Sequence, residues 1–213
     1  MKHSPLVLAA ILLLLCFATN AQTTSPDDGI VKDGVYYNSF FSLSFAPPKD
    51  WVVHEEAINK RIQERTVEEL AKTDNPVQPK DIYALLSVTR HPKGTPGIAI
   101  NPVIFVAAER VAHVRGNPNG KDYLLSLRTF KQKRGYKPLL NEPVEVRLAG
   151  LQFFRDDYEH VVNGVNYNSS IFVHVKKGYA LIFSFSGEDQ KNVEEMAKSM
   201  SSILPIGRGG NRP

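Results

Sequence analysis

Cysteine is almost absent from this chain. Its one cysteine, Cys16, lies inside the N-terminal apolar run. Beyond that run no thiolate is present to attack a substrate, bind a metal or form a disulfide. Long apolar runs are also scarce. Leu6 to Phe17 is apolar for twelve residues, whereas a membrane-spanning helix needs about 20, and no later stretch comes close. Charge of one sign is lacking too. The chain has 26 Lys and Arg against 22 Asp and Glu, a net +4 over 213 residues. Nucleic-acid binding calls for a concentrated basic stripe, which this balance does not supply. There is no G-x-S-x-G elbow, no H-E-x-x-H helix and no glycine-rich phosphate loop after a strand. The sequence calls for no cofactor and shows no internal repeat.

What is present begins with a targeting layout. Lys2 and His3 precede the apolar run, and Thr19-Asn20-Ala21 follows it with small residues first and last. This is the pattern of a secretory signal peptide. The expectation is cleavage near Ala21 and a secreted or periplasmic product with no transmembrane segment. An uncleaved anchor is the alternative. Lipid attachment at Cys16 is another, but Leu15 stands where a lipoprotein signal has a small residue. Residues 22–33 are polar, with Thr-Thr-Ser-Pro-Asp-Asp-Gly, and read as a flexible linker. Residues 34–204 read as one domain, and 205–213, rich in Gly and Pro, as a disordered tail.

Within 34–204 the elements follow from periodicity. Phe41, Leu43 and Phe45 alternate with Ser42 and Ser44, the period of a half-buried strand. Pro47-Pro48 ends it, and Trp51-Val52-Val53 restarts an extended segment. Ala57 to Lys72 reads as a helix with Ile58, Ile62 and Leu70 near one face. Tyr83–Arg90 and Ile100–Val111 read as strands joined by a Pro/Gly-rich loop. Asp122–Arg134 reads as a helix striped by Tyr123, Leu124, Leu127 and Phe130, with Gly135 at its C′ position. Val144–Leu148, Leu151–Val162, Val165–Lys176 and Tyr179–Phe185 read as four strands. Ser186 and Asp189 resemble a capping box opening a helix striped by Val193, Met196, Met200 and Ile203.

Asn163-Gly164 between two alternating runs predicts a hairpin, and the hairpin fixes a register. Val162 then pairs with Val165, His160 with Tyr167, Tyr158 with Ser169, Asp156 with Ile171 and Phe154 with Val173. The opposite face pairs Glu159 with Asn168, Asp157 with Ser170, Arg155 with Phe172 and Phe153 with His174. Through Lys177-Gly178, Phe172 meets Phe183 and His174 meets Leu181. Both faces carry apolar residues, so both must be covered. The expected fold is α+β, a three-layer α/β/α sandwich around a largely antiparallel sheet.

The element order, with Tyr37-Asn38, the Phe41–Phe45 strand, Pro47-Pro48 and Trp51, resembles the PsbP/Mog1-like family, which includes the DcrB-like bacterial envelope proteins. The resemblance covers about residues 34–204. It implies a binding or accessory role rather than an enzymatic one, and it carries over no site.

The densest polar cluster is Asp156-Asp157-Tyr158-Glu159-His160. Asp156 and His160 share a strand face about 13 Å apart, four residues at roughly 3.3 Å each, too far to hold one metal unaided. Asp157, Glu159 and Asn168 share the other face and offer oxygens to a hard cation; a solvated hairpin tip is the plainer reading. Asp156, Tyr158 and His160, with Tyr36 and Tyr37, are the candidates for ligand contact. His174 reads as a packing histidine. Lys131, Lys133, Arg134 and Lys137 form a basic helix end, suited to an anionic surface or to the helix dipole. Asn168-Ser169-Ser170 fits a glycosylation sequon. The expected function is a non-catalytic binding or accessory protein whose partner is an unknown protein or small ligand. The alternatives are a secreted hydrolase and a subunit of an envelope complex.

Overall fold

The computed structural model describes residues 25–26, 29–71, 81–111, 118–162 and 164–206. Residues 1–24, where a signal peptide is expected, Asn163 and residues 207–213 lie outside the described residues. In chain order, the first strands are β1 (Gly29–Lys32), β2 (Val35–Asn38), β3 (Leu43–Phe45) and β4 (Val52–Val53). Then come α1 (Glu56–Ala71), β5 (Ile82–Thr89), β6 (Val103–Arg110), α2 (Gly120–Gln132) and β7 (Lys137–Pro138). The last part holds β8 (Val144–Leu148), β9 (Leu151–Val162), β10 (Val165–Lys176), β11 (Tyr179–Gly187), α3 (Gln190–Ala197) and β12 (Leu204–Pro205). A 3₁₀ turn at Lys198–Ser202 joins the last two. Among the described residues no helix is long and apolar enough to cross a membrane.

The main sheet is antiparallel in the order β4-β5-β6-β11-β10-β9-β7, with β8 also paired to β9. Its central register is the one the hairpin predicts: Val165 pairs with Val162, Ile171 with Asp156 and Phe172 with both Arg155 and Phe183. Because side chains alternate, this register sorts the core into two faces. One face carries Phe153, Phe172, Leu181, Phe183, Phe185, Ile104, Val106, Leu86 and Val88 in a single buried cluster. The other carries Tyr158, Ile171, Val173 and Ala180 beneath Leu124 of α2. Each fully buried Phe or Leu contributes about 1.5–3 kcal/mol relative to exposure, so both faces need a cover.

The covers differ in kind. On the Tyr158 side, α2 lies over β9 and β10, and α1 lies over β5. On the Phe183 side, α3 supplies Val193, Met196 and Ala197. Beside it lies a second small sheet in the order β1-β2-β3-β12, which places Tyr36, Leu43 and Phe45 on the same cluster. The expected sandwich is present, with one outer layer built from a helix and a four-stranded sheet together.

That small sheet extends the fold beyond the expected domain limits. Gly29–Lys32, expected in the linker, pairs with β2 through the Asp33-Gly34 turn, where both residues have positive φ. Pro205, expected in the tail, pairs with Leu43, and the Ile206 N–H donates to the Ser42 carbonyl. Asn38 holds the β2–β3 link. Its Nδ2 donates to the Pro26 carbonyl at 2.9 Å and to Tyr36 Oη at 2.8 Å, and its Oδ1 accepts from the Phe41 N–H. Lys176 and Lys177 then donate to the carbonyls of Phe41 and Phe40, tying this link to the β10–β11 hairpin.

The helix ends follow their chemistry. Asn119 caps α2 in a full capping box with Asp122. Gly135, at φ +82°, closes it, with Tyr136 N–H on the Lys131 carbonyl and Gly135 N–H on the Gln132 carbonyl. That is a Schellman motif with glycine at C′. At α3 the cap is Asp189, which accepts from Asn192 N–H, while Ser186 remains inside β11. The expected capping box thus starts three residues too early.

Candidate functional site

The register brings together Asp156, Tyr158 and His160 on the face under α2, but each has a different partner. Asp156 is fully buried. Arg128 reaches it from α2, Nη2 to Oδ1 at 2.6 Å and Nε to Oδ2 at 3.0 Å, and Tyr158 Oη donates to Oδ2 at 2.6 Å. Burial first, and the Asp156 hydrogen bond second, push the Tyr158 phenol far above its ordinary pKa. His160 lies apart, stacked on Tyr136 at 4.2 Å with Nδ1 against the Gly135 carbonyl at 3.2 Å. Between these groups runs Lys131, its Nζ 4.0 Å from the Tyr136 ring centre and 5.0 Å from that of Tyr158. Burial pushes the Lys131 pKa down to about 8, against a smaller opposing pull from Asp156.

The candidate cation ligands sit on the opposite face. Asp157 is gripped by Arg155 through both oxygens, each at 2.8 Å. Glu159 is paired with Lys137 at 2.7 Å. Asn168 is paired across the strands with Glu159 and donates through Nδ2 to the Glu188 carbonyl. A cation here would have to displace a bidentate guanidinium. Among the described residues no group of three His, Cys, Asp or Glu is placed to hold a metal ion. Asn168, Ser169 and Ser170 are all buried within β10, which gives a sequon glycan no room.

Tyr36 is in the core, while Tyr37 is half-buried and pairs with Ser44 and Ile30. His174 packs on Phe153 at 5.2 Å, with Nδ1 on the Gln152 carbonyl at 2.8 Å. Since a carbonyl only accepts, Nδ1 carries the proton and Nε2 is the bare nitrogen; Nε2 is buried without a partner among the described residues. Burial lowers the His174 pKa. Of the basic helix end, Arg134 lies over Phe130 at 3.7 Å and Lys137 is the Glu159 partner.

A different place offers room. Between α1, β5 and the 91–101 loop is a cleft of about 460 Å³, lined by His54, Ile58, Arg61, Ile62, Arg65, Ser87, Thr89, Lys93, Gly94, Asn101 and Val103. The volume is in the range of small-molecule sites. Ile58, Arg61, Ile62 and Arg65 share one face of α1 by their three- and four-residue spacing. The walls are mostly apolar, and among the described residues the lining holds three basic side chains and no carboxylate. Asn101 fixes the loop base, Oδ1 accepting from His91 N–H at 3.1 Å and Nδ2 donating to the His91 carbonyl at 2.7 Å. The Thr89 hydroxyl donates to that same carbonyl at 2.9 Å, so it accepts from His54 Nε2 at 3.0 Å. His54 therefore holds Thr89 and does not deprotonate it. The sequence gives one hint of this site, two arginines four apart beside two isoleucines, and that hint also fits an ordinary solvated helix face.

No known family's sequence profile matches the chain, and no curated protein matches it. Solved structures do. One is the cyanobacterial PsbP of Synechocystis sp. PCC 6803, 11% identical, covering 80% of this chain and 91% of its own, at a TM-score of 0.47. The chain is similar in course to a PsbP. Another is LpqN of Mycobacterium tuberculosis, involved in cell envelope biogenesis, 11% identical, covering 78% of this chain and 83% of its own, at a TM-score of 0.44.

Proposed function

We propose that the protein is an exported, non-catalytic binding protein whose ligand site is the cleft between α1 and β5. The observation that supports this is the cleft itself, a drug-sized concavity with apolar walls and a few convergent polar groups. The His54–Thr89 pair supports the non-catalytic part. The hydroxyl proton is committed to the His91 carbonyl, whereas an activated nucleophile would point its proton at the imidazole. Export is supported by the basic start, the apolar run and Thr19-Asn20-Ala21, a layout that fits cleavage near Ala21. The test is a small-molecule screen on the chain from Gln22 onward, read by backbone amide shifts. Ligands should perturb the segments around residues 58–65 and 87–94, and Ile58→Trp should abolish those shifts without unfolding the protein. Shifts confined to the Asp156–His160 strand, or turnover of generic esters lost in His54→Ala, would overturn the proposal.

A further inference from the structure

The charge of the cleft narrows what it binds. Arg61, Arg65 and Lys93 are exposed around its mouth, and among the described residues none has an ion-pair partner. Two arginines at i and i+4 repel each other on a helix by a few tenths of a kcal/mol, so their placement does not serve the helix. Arginine forks match carboxylate and phosphate oxygens in pairs, which suits them to an anionic head group. Below them the lining is Ile58, Ile62 and Val103. A bare inorganic anion would leave those apolar walls in contact with water. A nucleic-acid strand would want aromatic rings to stack on, and among the described residues the lining has no Phe, Tyr or Trp. A membrane surface is met by apolar groups that protrude, whereas these are recessed.

We propose that the cleft takes one small amphipathic anion, with an apolar body against Ile58, Ile62 and Val103 and a carboxylate or phosphate head held by Arg61, Arg65 and Lys93. This rests on the cleft being the ligand site. The head lies at the cleft mouth, where the long cationic side chains reach it without being buried themselves. The tail displaces water from the isoleucine face.

The test titrates the chain from Gln22 onward by calorimetry with decanoate and decyl phosphate, each below its micelle concentration. Decyl maltoside tests the tail alone, inorganic phosphate the head alone, and anionic phospholipid vesicles the membrane. The two amphipathic anions should bind one to one, and Arg61→Gln/Arg65→Gln should weaken both at least about tenfold. The same variant should leave any weak maltoside binding unchanged. Amide shifts on the unaltered protein locate the site without relying on a variant. Maltoside binding in the cleft as tightly as decanoate, unaffected by the double variant, overturns the anion and leaves the cleft standing as a site. Anion-induced shifts outside residues 54–65 and 87–103 overturn both readings. Binding to vesicles but not to free amphiphiles overturns the proposal in favour of a membrane surface.

Discussion

Replacing Arg128 by methionine breaks the buried ion pair under α2, together with the more exposed Nη1 bond to the Asn141 carbonyl. The variant keeps an unbranched stem of similar reach and removes only the guanidinium. Asp156 has no exposed side-chain surface, and Arg128 has 13%. Two of the carboxylate's three side-chain hydrogen bonds come from Arg128, and the third from Tyr158. Stripping one partner from a buried pair costs about 3–5 kcal/mol, because the remaining charge stays buried and unpaired. Against a typical total stability of about 5–15 kcal/mol, that is a large share. With a urea slope of about 2 kcal/mol/M, a loss of about 4 kcal/mol moves the midpoint down by about 2 M. Trp51, the sole tryptophan, is half-buried against the core and reports unfolding by fluorescence. Arg128→Met/Asp156→Asn then removes the orphaned charge while keeping an acceptor for Tyr158. It should recover at least about 1 kcal/mol relative to Arg128→Met alone. A loss below about 1 kcal/mol in Arg128→Met, with no recovery in the double variant, would show that water reaches Asp156 and would refute the reasoning.

Three further outcomes follow from titration and close contact. The folded His174 pKa lies below its ordinary 6.5 because burial disfavours the charged ring; the unfolded chain then binds the proton first. Stability is full above pH 6.5 and falls as acid moves through the window below it, and His174→Phe should flatten that fall in urea midpoints at pH 5 and 8. Lys131 loses its proton near 8 when folded and near 10.5 when unfolded, so stability should rise with pH across that window; Lys131→Met should abolish the rise, and an unchanged slope would place the amine in water. A Cβ at Gly120 would sit 2.7 Å from the Val173 carbonyl oxygen. Gly120→Ala should therefore push α2 off β10 and lower the thermal midpoint by several degrees, whereas Gly94→Ala, with nothing within 4 Å, should lose only about 1–2 kcal/mol of left-handed strain.

Much of the main sheet was legible because its signals are local. Asn163-Gly164 sets one register, strand alternation carries it to Phe183, and the two apolar faces demand two covers. The small sheet was not legible, since β1 and β12 are short, exposed strands of four and two residues, and β12 pairs with β3 some 160 residues earlier. Alternation places Asp156 on a face but cannot name Arg128, 28 residues earlier on a helix. It therefore left open whether the Asp156–His160 run was a site or a set of satisfied pairs. The cleft escaped for a related reason: Arg61 and Arg65 look like ordinary helix surface until β5 and the 91–101 loop are placed opposite them. Tyr36, offered by the sequence as a ligand contact, instead falls in the core, in the same cluster that the Phe41–Phe45 stretch builds.

The pairing of β3 with the segment after α3 has a consequence in time. Ala46 and Ser202, 156 residues apart, exchange two hydrogen bonds at 2.9 and 3.0 Å. At a synthesis rate of roughly 5–20 residues per second, the second partner emerges roughly 8–30 s after the first. For that interval the Phe45 side of the core has no lid. The free edge of β3 therefore gains its last partners only once residues 202–206 have been made, so this face of the core closes after the main sheet is already synthesised.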